Sequence, residues 1–86
     1  MSLGEIIRIT RQKAFCTQED FAKQLNVALS TVNRWELGKA TPNMKGMKAI
    51  KAFCEAHELD YESVEAEWLN HSLKTTEPAN KKSRLK

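Results

Sequence analysis

Residues 18–38 of this 86-residue chain, QEDFAKQLNVALSTVNRWELG, decide its fold. Their apolar residues recur at helical spacing in two short groups, the first formed by Phe21, Ala22 and Leu25 and the second by Val27, Val32 and Trp35. Neither group can bury its apolar face alone, and the small Ala22 lets a second helix cross closely over the first. The stretch therefore predicts two short helices that are joined by a tight turn and pack on each other.

The ends of these two helices carry residues that favour helix boundaries. Thr17 and Asp20 have the spacing of a capping box, with Asp in place of the more common Glu, so the first helix should begin directly after Thr17. Asn26 tolerates a left-handed backbone and can end that helix abruptly. Gly38 is expected to end the second helix in the same way.

The rest of the chain predicts three further helices. Helix one should span residues 3–13, with Ser2 and Glu5 as a capping box and an inward face of Ile6, Ile7 and Thr10. Helix four should begin after residue 43, with a core face of Met44, Met47, Ile50, Phe53 and Cys54. Helix five should span residues 61–73 with Asp60 as its cap and a stripe of Val64, Trp68, Leu69 and Ser72.

The pattern predicts one all-α domain over residues 1–73, followed by a tail. Residues 74–86, KTTEPANKKSRLK, are polar and basic, and we expect them to be disordered. A domain of this size buries only roughly 60% of the surface of its unfolded chain. No apolar run reaches the length of about eighteen residues that a membrane span needs, so we expect a cytoplasmic protein without membrane contact.

Charge is segregated along the chain. Residues 1–51 hold nine Lys or Arg against four acids, a net charge of +5, and residues 52–72 hold six acids and no Lys or Arg, a net charge of −6. Residues 73–86 hold five basic residues against one acid, a net charge of +4. This segregation favours a basic surface that meets phosphate and an acidic surface that faces away. Ordinary solvated charge is the alternative.

The inventory of reactive residues argues against an enzyme and against a metal or other cofactor. Cys16 and Cys54 lie far apart and neither belongs to a CxxC motif. His57 and His71 are isolated histidines that belong to no carboxylate or cysteine arrangement with the spacing of a metal or catalytic site, and neither a glycine-rich phosphate loop nor a nucleophile motif occurs.

Two segments, TQEDFAKQLNV at 17–27 and STVNRWELGKATP at 30–42, resemble the helix-turn-helix of phage repressors and Cro, the XRE family of regulators. The resemblance covers roughly residues 5–58, judged from the helical pattern around the motif. It implies a compact five-helix lambda-repressor-like domain that binds double-stranded DNA. It further implies a homodimer on a pseudo-palindromic operator, with helix three in the major groove.

The resemblance also assigns roles in helix three and around it. The side chains expected to contact base edges are Leu29, Ser30, Asn33 and Arg34. Arg34 is the leading candidate because its guanidinium can donate two hydrogen bonds to guanine; the alternatives for this side chain are a phosphate or a Glu partner. The residues expected to contact the DNA backbone are Gln18, Thr31, Lys39, Thr41 and Asn43. For Gln18 the alternative is an ordinary exposed position in the first turn of its helix.

Arg11 and Glu36 match a pair that in this family forms a structural salt bridge between helix one and the end of helix three. Two positions depart from the family pattern. Ala28 replaces the usual Ser or Thr cap of the recognition helix, which removes about 1 kcal/mol of local stabilisation. Leu29 replaces a polar residue at the first position that faces the groove.

The sequence thus predicts a DNA-binding transcription regulator, and we expect a repressor that acts by blocking promoter access. Two alternatives remain open. An antitoxin-like regulator would use the same DNA module and bind a protein partner through its acidic C-terminal helix. A protein-interaction module that has lost DNA binding would account for the unusual residues Ala28 and Leu29.

Overall fold

A computed structural model of the chain describes the backbone of residues 1–76 and the side chains through His71. Within that part the chain forms five helices and no strand: α1 (Leu3–Lys13), α2 (Gln18–Leu25), α3 (Leu29–Glu36), α4 (Met44–Ala56) and α5 (Glu62–Thr76). Helix α3 packs on α1 and α2, α1 also contacts α5, and α2 also contacts α4. The predicted all-α, five-helix architecture is confirmed.

Every helix contributes at least one fully buried apolar side chain to the core, and the largest from each helix form its centre. These are Ile7, Phe21, Val32, Ile50 and Val64. The rings of Phe21 and Phe53 meet edge to face, with centroids 4.8 Å apart. Burial of a side chain of this kind contributes about 1.5–3 kcal/mol, so the five helices hold one another through a shared centre.

Two predicted core positions and both ends of helix five differ from expectation. Met44 is 69% exposed, because it is the first residue of α4 and lies before the turn that enters the core. Leu69 is also exposed. Helix α5 begins at Glu62, one residue after its predicted start, and ends at Thr76, three residues beyond its predicted end. The side chain of Ser72, and the part of the proposed tail beyond Thr76, lie outside the described residues.

Side-chain caps begin three of the helices as predicted, and one capping box is incomplete. Ser2 and Glu5 form both hydrogen bonds of their box, and the one that Ser2 N–H donates holds the pKa of the Glu5 carboxyl below its usual value. Thr17 accepts from the Asp20 amide at 3.1 Å, but the described residues show no return bond to the Asp20 carboxylate. Asp60 accepts from the Ser63 amide at 3.3 Å.

Four helices end at a residue with left-handed backbone geometry. Asn26 (φ 59°) and Gly38 (φ 78°) were expected there. Phe15 (φ 58°) and Glu58 (φ 57°) occupy the equivalent position after α1 and α4. In each case the next amide donates to the carbonyl five residues earlier, as Cys16 does to Arg11 at 3.2 Å. All four turns are therefore Schellman motifs, and two of them lack the small or amide residue that usually permits one.

We predict that Phe15→Gly stabilises the protein by about 0.5–1 kcal/mol. A left-handed backbone costs a non-glycine residue about 1–2 kcal/mol, and the added flexibility of glycine in the unfolded chain offsets only about 0.5–1 kcal/mol. Little packing is lost, because Phe15 is 96% exposed. Thermal unfolding of Phe15→Gly beside Phe15→Ala, which keeps the strained Cβ, is the measurement. Equal midpoints for the two variants would contradict the prediction.

Candidate nucleic-acid interface

The exposed face of α3 is the first component of the site. Val32 and Trp35 point into the core, and residues 29, 30, 33 and 34 of the same helix are exposed. All four side chains predicted to contact bases lie on this face: Leu29, Ser30, Asn33 and Arg34. Leu29 is 49% exposed, a large apolar surface beside three polar groups. The face therefore offers three hydrogen-bonding groups, a hydroxyl, an amide and a guanidinium, and one apolar contact.

A groove of about 410 Å³ borders this face where α3 meets the start of α4, and we call it the α3–α4 groove. Thr31 and Arg34 line it from α3, and Thr41 and Asn43 line it from the following segment. Lys39 is exposed but is not part of the lining. The structure thus brings one predicted base contact and three predicted backbone contacts to a single groove.

Asn43 lines this groove and also caps α4. Its side-chain oxygen accepts a hydrogen bond of 2.9 Å from the Gly46 amide and so caps α4. Only the amide nitrogen of the side chain remains to donate to a ligand. This division fixes the orientation of the Asn43 amide, since its oxygen already faces the helix.

Three side chains from three helices form a hydrogen-bonded group, the Glu36 cluster of Arg11, Gln18 and Glu36. Arg11 Nε donates to Glu36 Oε2 at 2.6 Å, and a second guanidinium nitrogen donates to Oε1 at 3.0 Å. The hydrogen bond to Glu36 raises the pKa of Arg11 above its ordinary value. Arg11 also donates to the Cys16 carbonyl at 2.9 Å, which ties down the turn between α1 and α2.

Gln18 belongs to this cluster, which the motif did not reveal. Its amide nitrogen donates to Glu36 Oε1 at 2.9 Å, and the residue is half-buried. One of the two N–H donors of that amide is therefore committed within the protein, and the other remains able to donate to a ligand. The alternative of an ordinary exposed Gln does not describe this residue.

Close backbone contact between α1 and α3 adds to the cluster. A Cβ added to Gly4 would lie 2.7 Å from the Trp35 carbonyl oxygen and 2.8 Å from that of Glu36. These distances are too short for any other residue type without a shift of the backbone. Gly4 thus determines how closely α1 approaches the C-terminal end of α3. Glu36, whose carboxylate belongs to the Glu36 cluster, lies at that end.

The segment between α3 and α4 is held by α5. The Trp68 indole Nε1 donates to the Pro42 carbonyl oxygen at 2.7 Å, and Trp68 is half-buried. A Cβ at Gly46 would lie 3.2 Å from Pro42 Cβ and 3.3 Å from the Trp35 ring, so α4 also packs closely against this segment. The sequence indicated Trp68 as a core residue, and no local pattern could show its partner 26 positions away.

The charge around α3 is one-sided. Residues 26–52 contain five Lys or Arg and a single acid, Glu36, whose carboxylate is paired with Arg11. The carboxylates of the chain are concentrated instead in residues 55–67. An anionic ligand would therefore meet little repulsion at the α3–α4 groove.

Within the described residues no helix is both long and apolar enough to cross a membrane.

Residues 7–55 match the family model described as helix-turn-helix. The chain belongs to the XRE-type helix-turn-helix family of DNA-binding proteins. A relative in Enterococcus faecalis, the HTH-type transcriptional activator BcrR, is 38% identical over 53 residues. That match covers 62% of this chain and 26% of the relative, so this helix-turn-helix chain corresponds to about a quarter of the relative's length. No solved structure matches the chain.

We predict that Glu36→Gln lowers the free energy of unfolding by about 3 kcal/mol. Removal of one partner leaves the other charge uncompensated, and the expected loss is near the low end for a buried pair because Arg11 is still 13% exposed. Urea unfolding is the measurement. Glu19→Gln, an exposed change of the same kind on α2, should alter stability by less than about 0.5 kcal/mol. Similar effects of the two substitutions would contradict a structural role for the Glu36 cluster.

Proposed function

We propose that this chain is the DNA-binding part of a transcription regulator and that α3 reads base edges in the major groove. The observation that carries the proposal is the face of α3, where four side chains of suitable chemistry are exposed together beside a groove without a free carboxylate. An α-helix fits the major groove, which is about 12 Å wide. The family membership and the relative described as a transcriptional activator support this function.

Arg34 is the proposed main reader. It is exposed, and among the side chains described it forms no salt bridge, so the alternative of a Glu partner has no support within this part of the chain. A free guanidinium can donate to both O6 and N7 of guanine. Asn33 can pair with adenine, Ser30 can donate or accept, and Leu29 can contact a thymine methyl group.

Backbone contacts are proposed to set the register of the domain on DNA. Lys39, Thr41 and the free amide nitrogen of Asn43 supply donors around the α3–α4 groove, and Thr31 supplies a hydroxyl at its edge. Gln18 supplies its remaining N–H while its other donor is held by Glu36. Such contacts raise affinity for all sequences alike and make binding depend on salt.

Dimerisation and the direction of regulation are separate proposals. We propose a homodimer, because two-fold operators of this family have half-sites about 10–10.5 base pairs apart. We propose repression by promoter occlusion as the direction of regulation, whereas the relative is described as an activator. The position of the operator relative to the promoter decides between them: overlap supports repression and an upstream position supports activation.

A protein partner on α5 is a second candidate function. Glu62, Glu65 and the exposed Leu69 lie on this helix, so its solvent side joins carboxylates with an apolar group. A basic partner with an apolar side chain would fit. A second protein that co-purifies with the chain and is lost on Leu69→Asp would support this antitoxin-like function.

We predict that Arg34→Ala changes the base preference of binding and that Lys39→Ala does not. Both variants are compared on a site selected from a random duplex library. Arg34→Ala should weaken binding by roughly 5- to 100-fold and remove the preference at one base pair, since a bidentate contact discriminates by about 1–3 kcal/mol. Lys39→Ala should weaken all duplexes equally and reduce the salt slope by about 1. Binding titrations at several salt concentrations measure both.

Arg8→Ala is the matched control for this pair of variants. Arg8 is exposed on α1, outside the proposed interface, so the substitution removes the same charge without a base contact. It should leave the selected motif unchanged. If Arg34→Ala selects the same motif with the same affinity as the unaltered chain, the proposed reading by Arg34 is wrong. If no duplex is enriched at all, sequence-specific binding by this chain is wrong.

A further inference from the structure

The hydrogen bond from Trp68 to Pro42 joins α5 to the segment that follows α3. We call residues 39–43 the 39–43 loop. Three proposed donors to the DNA backbone lie in it: Lys39, Thr41 and Asn43. The indole N–H reaches the loop from α5 at 2.7 Å, while the loop itself belongs to no helix.

Few other hydrogen bonds hold this loop. At one end the Lys39 amide donates to the Arg34 carbonyl at 2.9 Å. At the other end the Asn43 side chain accepts from the Gly46 amide, and the Asn43 carbonyl accepts from the Met47 amide, both at 2.9 Å. Among the described residues, 40–42 take part in no backbone-to-backbone hydrogen bond. The Pro42 carbonyl therefore depends on the Trp68 indole for its partner within the protein.

Helix α5 also lies beside the loop at His71, one helical turn after Trp68. A cavity of about 220 Å³ is lined by Thr41 and Ala40 of the loop, by His71 of α5 and by Gly4 of α1. Trp68 and His71 are three residues apart, so they share one face of α5. That face is directed at the loop, and Trp68 provides its hydrogen-bonded contact.

We propose that Trp68 is a positioning residue for DNA binding, which acts through the Pro42 carbonyl to fix the loop that presents Lys39, Thr41 and Asn43. The inference rests on the proposed function and extends it, because Trp68 itself lies on α5 and does not belong to the interface. Without the N–H donor the loop samples more conformations. Its donors then meet phosphates less often, while α3 and its readers keep their place.

Trp68→Phe is the variant that tests this role, since it keeps an aromatic ring and removes the indole N–H. We expect the affinity for the selected site to fall about three- to tenfold, the range of one lost hydrogen bond. The salt slope should become shallower by about 1 as a phosphate contact is lost. The selected base preference should stay the same. Asn70→Ala, an exposed change two positions after Trp68 on α5, is the control and should move neither quantity.

A second readout separates positioning from general stability and from DNA binding itself. Amide hydrogen exchange without DNA should be faster at Lys39, Gly46 and Met47 in Trp68→Phe, and unchanged at the core amide of Ile50. Unchanged exchange at the loop, or an unchanged salt slope, would overturn the inference. If the unaltered chain binds no DNA, the proposed function fails, and the exchange comparison still decides whether Trp68 holds the loop.

Discussion

The ion pair between Arg11 and Glu36 is the interaction on which the arrangement of the helices depends. Glu36 is the last residue of α3, and its carboxylate accepts from α1 through Arg11 and from α2 through Gln18. The side chain of Glu36 is only 5% exposed. A carboxylate so far removed from water needs these partners, because an unpaired buried charge is costly. The requirement fixes the end of α3 relative to two other helices.

Two contacts hold the proposed interface at the C-terminal end of α3 and in the loop that follows it. At the C-terminal end of α3, Gly4 admits α1 to within contact of the Trp35 and Glu36 carbonyls. Beyond it, Trp68 holds the Pro42 carbonyl from α5. The C-terminal end of α3 and the loop that follows it are thus each held by another helix, α1 and α5 respectively. The hydrogen bond from Trp68 to the Pro42 carbonyl thus connects α5 to the 39–43 loop.

Helical periodicity and end signals predicted most of the fold. The spacing of Phe21, Leu25, Val32 and Trp35 placed α2 and α3, and it identified the exposed face of α3 because the remaining positions have nowhere else to point. Local rules could not predict the left-handed Phe15, since its side chain opposes that geometry. They also placed Met44 in the core, because periodicity does not show where a helix enters the core.

The long-range members of the site were not accessible to sequence reasoning. The hydrogen bond from Gln18 to Glu36 spans 18 positions and that from Trp68 to Pro42 spans 26. Neither follows from a spacing within one helix, because each depends on how separate helices meet. The pairing of Arg11 with Glu36 was expected only from the family resemblance. Sequence therefore indicated which face could meet DNA, and the structure shows what holds that face in place.

The most direct test of the central claim is to follow the amide resonances of the isotope-labelled chain by NMR while a DNA duplex is added. The measurement needs no known operator, because backbone contacts form on any sequence. We expect the largest shift changes in residues 29–34 and 39–46, with little change in the acidic residues 55–67. Shift changes centred on residues 55–67 or on α5, with α3 unaffected, would contradict the account.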